Sequence, residues 1–201
     1  ISSGLKKSPI SRPALAAGMA GAQVVPAPVG DYSQSCLGRE RIFDYASRKF
    51  GTKLLLFRLN YAVDLRYGVL HDIGRSLWEG REVDNSVGHF NVIWQGDANE
   101  RAIRSLEVAA SPARILNVTG PETLDLRDTA QKLGSCLQRP VTFSGEPGPL
   151  AYLNDASASL RLFGLPRVDV PRMIRWTAAW HRTGGRSLGK PTHFEVADGT
   201  Y

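Results

Sequence analysis

Apolar residues along this chain follow two alternating patterns, and the alternation sets the expected architecture. Over 35–50 the positions Leu37, Ile42, Phe43, Ala46 and Phe50 keep roughly helical spacing, and Gly51 supplies a C-terminal stop. Residues 53–60 form instead an almost continuous apolar run ending at Asn60, as expected of a strand covered on both faces within a parallel sheet. A second helix is predicted over 69–79, with Leu70, Ile73, Leu77 and Trp78 on its buried side and His71 and Asp72 on the solvated one. Residues 92–94 read as a short strand. Asp97-Ala98-Asn99-Glu100 reads as a capping box opening a helix to about 110. Residues 115–120 are another buried strand with a turn.

Beyond that strand the pattern shifts towards short helices and turns. Asp125 is placed to cap a helix that ends near Gln138 and carries Ala130, Leu133 and Leu137. Residues 141–143 read as a last strand, and 146–149 as a turn. Asp155 caps a short helix stopped by Gly164 and Pro166. A final helix over 171–181 should turn Met173, Ile174, Trp176 and Trp180 inward, ahead of a polar, extended tail. At the other end, 8–31 is a loop broken by Pro9, Pro13, Pro26 and Pro28. Strands alternating with helices predict an α/β fold.

Composition narrows the class without choosing a function. The 201 residues are 42% hydrophobic and 22% charged, ordinary values for a globular protein large enough to bury a core. No run approaches the roughly 18 apolar residues that a membrane span needs. The net charge of +6 comes from basic residues scattered along the chain, without the basic stripe that marks a nucleic-acid surface. Such a balance suits phosphate-bearing small molecules as well. Two cysteines, Cys36 and Cys136, make neither a disulfide framework nor a zinc site, so a reduced, cytoplasmic setting is expected. His181 and His193 have no further ligand at metal spacing. Gly18-x-x-Gly21-x-x-Val24 imitates a dinucleotide fingerprint but lacks the preceding strand and following helix that such a loop requires.

Three short motifs carry the candidate chemistry: Ser2-Ser3-Gly4, Tyr32-x-x-x-Cys36 and Arg58-Leu59-Asn60-Tyr61. Taken in this order they resemble the extended short-chain dehydrogenase/reductases, the NAD-dependent epimerase/dehydratase family. The resemblance implies a partial doubly wound, Rossmann-like parallel sheet over 1–119 and a smaller helical substrate-binding region over 120–201. The family's N-terminal dinucleotide-binding half has no counterpart in these residues. It also implies NAD or NADP as cofactor, a nucleotide sugar or related hydroxy or keto compound as substrate, and homodimers formed through the tyrosine helix. By the same resemblance Ser3 would hydrogen-bond the reacting oxygen and Tyr32 would act as general acid/base. Tyr32, Cys36 and Asn60 would border the cofactor, and Asn60 with Arg66 the substrate.

Cys36 stands where the family has lysine. A free tyrosine has a pKa near 10, and the lysine's positive charge brings it towards neutrality. A neutral thiol cannot do this, and a thiolate would act in the opposite sense. Arg39, two helical turns from Tyr32 along the same side, is the candidate substitute cation. Two functions stay open. One is an NAD(P)-dependent epimerase/dehydratase-like protein using Tyr-assisted hydride transfer, supported by Ser3, Tyr32 and Asn60. The other is a catalytically silent relative that binds a nucleotide or a protein, supported by Cys36.

Overall fold

The computed structural model describes residues 30–146 and 150–190, together with Thr192 and Phe194. Ser3, the Gly18 and Gly21 pair, almost all of the 8–31 loop, most of the 146–149 turn and His193 lie outside the described residues. The first element is α1 (Asp31–Phe50), followed by β1 (Leu55–Leu59), β2 (Ala62–Val63) and α2 (Val69–Trp78). Strands β3 (Val83–Asp84), β4 (Val87–Phe90) and β5 (Ile93–Trp94) lead into α3 (Gln95–Arg104) and a 3-10 turn (Ser105–Val108). Then come β6 (Arg114–Val118), β7 (Leu124–Asp125), α4 (Leu126–Leu137), β8 (Phe143–Ser144), β9 (Leu150–Tyr152), α5 (Ser157–Phe163) and α6 (Val170–Arg182).

The expected α/β architecture with parallel pairing is present. β1 and β6 run parallel in a five-residue register from Leu55↔Arg114 to Leu59↔Val118. β2 pairs parallel with β5, and β3 with β8. β4 lies between β7, antiparallel, and β9, parallel. Two apolar cores fill the space between these layers. The larger collects Ile73, Leu77, Leu126, Leu133, Met173 and Ile174, where α2, α4 and α6 pack on one another. The smaller joins Leu116 and Val118 of β6 to Ile93, Ala98 and the partly buried Leu162 of α5. Each fully buried aliphatic side chain contributes about 1.5–3 kcal/mol, so these two clusters dominate stability.

Four details depart from the sequence reading. α1 begins at Asp31 rather than 35, and Ile42, Phe43 and Phe50 point to solvent. Its buried positions are Ser33, Cys36, Leu37 and Ser47, a stripe that apolar periodicity cannot detect. α2 is covered nearly all round, so His71 is buried in place of the expected solvated position, and Asp72 binds Thr192. Asp97 caps nothing: it sits inside α3, buried, and its carboxylate accepts the backbone N–H of Val168 at 3.0 Å. On α6 the inward positions are Val170, Met173, Ile174, Thr177, Ala178 and His181, which leaves Trp176 exposed and Trp180 half-buried. The cap at Asp125 is as expected, its side chain accepting the Asp128 N–H at 2.8 Å.

Candidate functional site

Ligands of open parallel sheets gather beyond the C-terminal ends of the strands. Here those ends are Asn60 and Tyr61 after β1, and Thr119 and Gly120 after β6. The Asn60 N–H joins the two ends by donating to the Val118 carbonyl at 3.0 Å, and the Gly120 N–H ties the β6 end to the β4–β5 connection by donating to the Val92 carbonyl at 3.0 Å. Gly120 has no substitute at this crossing, since a Cβ there would lie 2.1 Å from the Val92 oxygen. Tyr61 holds φ at 40°, a left-handed conformation that costs a non-glycine residue of order 1 kcal/mol or more and is often found beside functional sites. The Thr119 hydroxyl is fully buried without a hydrogen-bond partner among the described residues.

Asn60 is drawn inward. Its carboxamide nitrogen donates to Asn91 Oδ1 at 2.7 Å. Asn91 in turn donates to the Asn154 carbonyl at 3.0 Å and accepts the Asn154 N–H at 3.3 Å. Pairing with both backbone groups of one residue fixes which way the Asn91 amide points. The relay ties the end of β1 to the segment between β9 and α5. Neither Asn91 nor Asn154 was singled out by sequence reasoning; only their position near strand ends hinted at them.

α1 presents Tyr32 to solvent on its first turn, 53% exposed, and turns Cys36 into the protein at 3%. Positions four apart on a helix differ by about 40° in direction, enough here to place the two on either side of the buried boundary. Arg39 is exposed, on the solvent side with Tyr32. The cation that faces inward from β1 is Arg58, and Glu40 of α1 engages it. Its Nε lies 3.1 Å from each Glu40 oxygen and its Nη2 2.7 Å from Oε2. Arg66 is the exposed residue of the turn at 64–67, where its guanidinium holds the Asp64 carboxylate at 2.7 and 3.2 Å. That hydrogen-bonded guanidinium lowers the Asp64 pKa.

A cleft of about 490 Å3 opens between α2 and β3, with Asp72, Arg75, Glu79, Arg81, Asp84 and Phe194 among its walls. Glu79 is clamped there by Arg75 at 2.8 Å and by Arg81 at 2.6 Å. Tyr32, Cys36, Arg39, Asn60 and Arg66 do not line this cleft.

No protein-family model matches the sequence, and no curated protein does. Solved structures do match: the chain has the α/β fold found in NAD-dependent nucleotide-sugar epimerases and dehydratases. It superimposes on UDP-glucuronic acid 4-epimerase from Bacillus cereus, solved with UDP-glucuronic acid and NAD. That match has a TM-score of 0.72 and 15% identity, over 90% of this chain and 60% of the epimerase. RMD from Pseudomonas aeruginosa, complexed with NADPH, gives a TM-score of 0.71 and 16% identity over 90% of this chain and 65% of that one. UDP-glucose 4-epimerase from Thermotoga maritima, solved with UDP-glucose, gives 0.70 and 14% identity over 91% and 62%. The chain thus spans about 60% of the length of the proteins it resembles.

The resemblance places three residues of this chain beside a nicotinamide cofactor. Of the three that the resemblance would set beside it, Cys36 is a buried thiol with no charge to offer a ribose, and Asn60 spends an amide N–H on Asn91. Only Tyr32 is open to solvent. Cys36 and Asn60 thus face the interior, and of the three only Tyr32 is placed to meet a cofactor from solvent. Among the described residues no helix is long and apolar enough to cross a membrane.

Proposed function

We propose that this chain is the substrate-side portion of an epimerase/dehydratase-type protein that binds a nucleotide sugar or a related hydroxy or keto compound. In this reading residues 120–201 form the substrate region, and Tyr32 exchanges a proton with a ligand hydroxyl. The observation that supports it is the match over 90% of the chain to an epimerase whose solved complex contains UDP-glucuronic acid. Tyr32 suits the role because its side chain is open to solvent at the start of α1. The exposed aromatic and aliphatic side chains of α1, Ile42, Phe43 and Phe50, support a homodimer through this helix.

The finer form of the proposal, Tyr-assisted hydride transfer with NAD or NADP, requires a cation beside Tyr32. Arg39 is the residue on the same helix that could supply it. A second reading, a catalytically silent relative that binds a nucleotide, is favoured by one observation: the family's lysine position holds a buried thiol.

The test is calorimetry with UDP-glucose and UDP-glucuronic acid, alongside nicotinamide absorbance during turnover, on the chain and its Cys36→Lys variant. Binding by the chain, with turnover raised roughly 10²-fold by the lysine, is expected if proton transfer is limited by the missing cation. Binding without turnover in either protein selects the silent reading. No binding of either sugar nucleotide by the chain would overturn the proposal.

A further inference from the structure

His71 and His181 are 110 positions apart in sequence, yet their rings stack with centroids 4.7 Å apart and an interplanar angle of 28°. Both are buried, at the contact between α2 and α6. The hydrogen bonds of His71 fix its tautomer. Nδ1 lies 2.8 Å from the Leu65 carbonyl, which can only accept, so Nδ1 carries the proton. Nε2 is then the acceptor and takes the Ser187 hydroxyl at 3.0 Å. Ser187 Oγ accepts in turn the Gly189 N–H at 3.1 Å. One imidazole therefore joins the turn at 64–67 to the chain beyond α6.

That chain is fastened at further points. The Leu188 N–H donates to the Arg66 carbonyl at 3.1 Å, on the same turn. The Trp180 indole N–H donates to the Arg186 carbonyl at 3.2 Å. Asp72 Oδ2 accepts both the N–H of Thr192, at 2.8 Å, and its hydroxyl, at 2.6 Å. Phe194 is buried in the larger core and forms a wall of the cleft between α2 and β3.

We propose that residues 186–190, with Thr192 and Phe194, form a strap latched on His71, that this strap holds both the turn at 64–67 and a wall of the cleft, and that the latch loosens in acid. The geometry supplies the reason for the last step. Protonating His71 puts a proton on Nε2 where the Ser187 hydroxyl now donates, and protonating both rings sets two cations against each other at stacking distance. The charged groups that act on the pair are mixed: Asp72, Arg75 and Glu79 on α2, and Asp64 across the turn. Burial is the largest influence on both rings and favours their neutral forms. The inference is independent of the proposed function, because it concerns the coupling of three segments and not a ligand.

Hydrogen exchange on the full chain tests it, with rates corrected for intrinsic pH dependence and read on peptides covering 61–68, 184–194 and 126–137. At pH 7.5 the Ser187→Ala/Thr192→Val double variant should exchange at least about tenfold faster in the first two peptides and unchanged in α4. At pH 5 the unmodified chain should loosen in the same two peptides, and His181→Gln should loosen less. Protection in α4 certifies that each variant is folded. The proposal is overturned if the strap loosens while 61–68 keeps its protection, or if His181→Gln responds to acid as the unmodified chain does.

Discussion

Replacing Glu40 by Gln isolates the interaction on which α1, and with it the placement of Tyr32, depends. α1 is 20 residues long, but its buried apolar side chains are only Cys36 and Leu37, so apolar burial contributes modestly to its attachment. The Arg58–Glu40 pair adds a buried ion-pair link between α1 and β1. Its side chains are 10% and 13% exposed, and the guanidinium reaches both carboxylate oxygens. Removing one partner of a buried pair costs about 3–5 kcal/mol, mainly because the remaining charge loses that counter-charge away from water. Gln keeps one acceptor oxygen, which puts the expected loss near the lower end, about 3 kcal/mol. For a chain of this size that corresponds to a melting temperature lower by roughly 6–12 °C.

Two assays read the effect. Urea unfolding gives the global loss, and amide exchange over 31–50 shows whether α1 detaches on its own. The second is needed because the four tryptophans, Trp78, Trp94, Trp176 and Trp180, all lie outside α1 and would miss a local event. The companion Glu40→Gln/Arg58→Met variant should recover much of the loss, since it removes the buried guanidinium together with its carboxylate partner. A Glu40→Gln loss below about 1 kcal/mol, or a double variant as unstable as the two single losses added, would refute the reasoning.

Acid should weaken the fold through the histidine pair. Burial and the neighbouring His71 hold the His181 pKa at about 4, below its ordinary 6.5, so the unfolded chain binds the proton more readily than the folded one. Stability is then complete above about pH 6.5 and falls as pH drops towards 4, by on the order of 3 kcal/mol, while His181→Gln flattens the slope; urea midpoints across that range decide it. The α1 face provides the last prediction. Phe43→Glu should convert a dimer to a monomer by light scattering after gel filtration without lowering the melting temperature, and an unmodified chain already monomeric at about 10 μM would remove that part of the proposal.

How much of this was legible in the sequence depends on what holds each element. α2, α4 and α6 were legible because their buried faces are apolar at helical spacing, and the Asp125 cap because capping is local. Even there, size misled: Trp176 and Trp180 drew the inward assignment, whereas the positions in phase with Met173 and Ile174 are Thr177, Ala178 and His181. α1 was misread for the opposite reason. Its inner stripe combines Ser33, Cys36, Leu37 and Ser47 with the ion-paired Glu40, while Ile42, Phe43 and Phe50 face out. The partners of Asn60, His71 and Asp97 come from 31 to 116 positions away, and hydrogen bonds at such separation leave no periodic trace.

The strand end shows how a single position changes the candidate site. Asn60 was legible as a polar residue at the C-terminal end of a parallel strand, which is where the structure puts it. Its direction was not. Arg58 and Asn60 are two apart. Side chains two apart on extended backbone share a face, whereas three apart they oppose each other. Asn60 still has its N–H in the β1–β6 register, bonded to Val118, so that rule applies to it. It follows Arg58 into the buried layer and bonds Asn91. The position three after Arg58 belongs to Tyr61, the residue whose backbone is left-handed at φ 40°. The two-residue spacing thus commits Asn60 to the interior beside Arg58 and leaves the left-handed backbone to the tyrosine that follows.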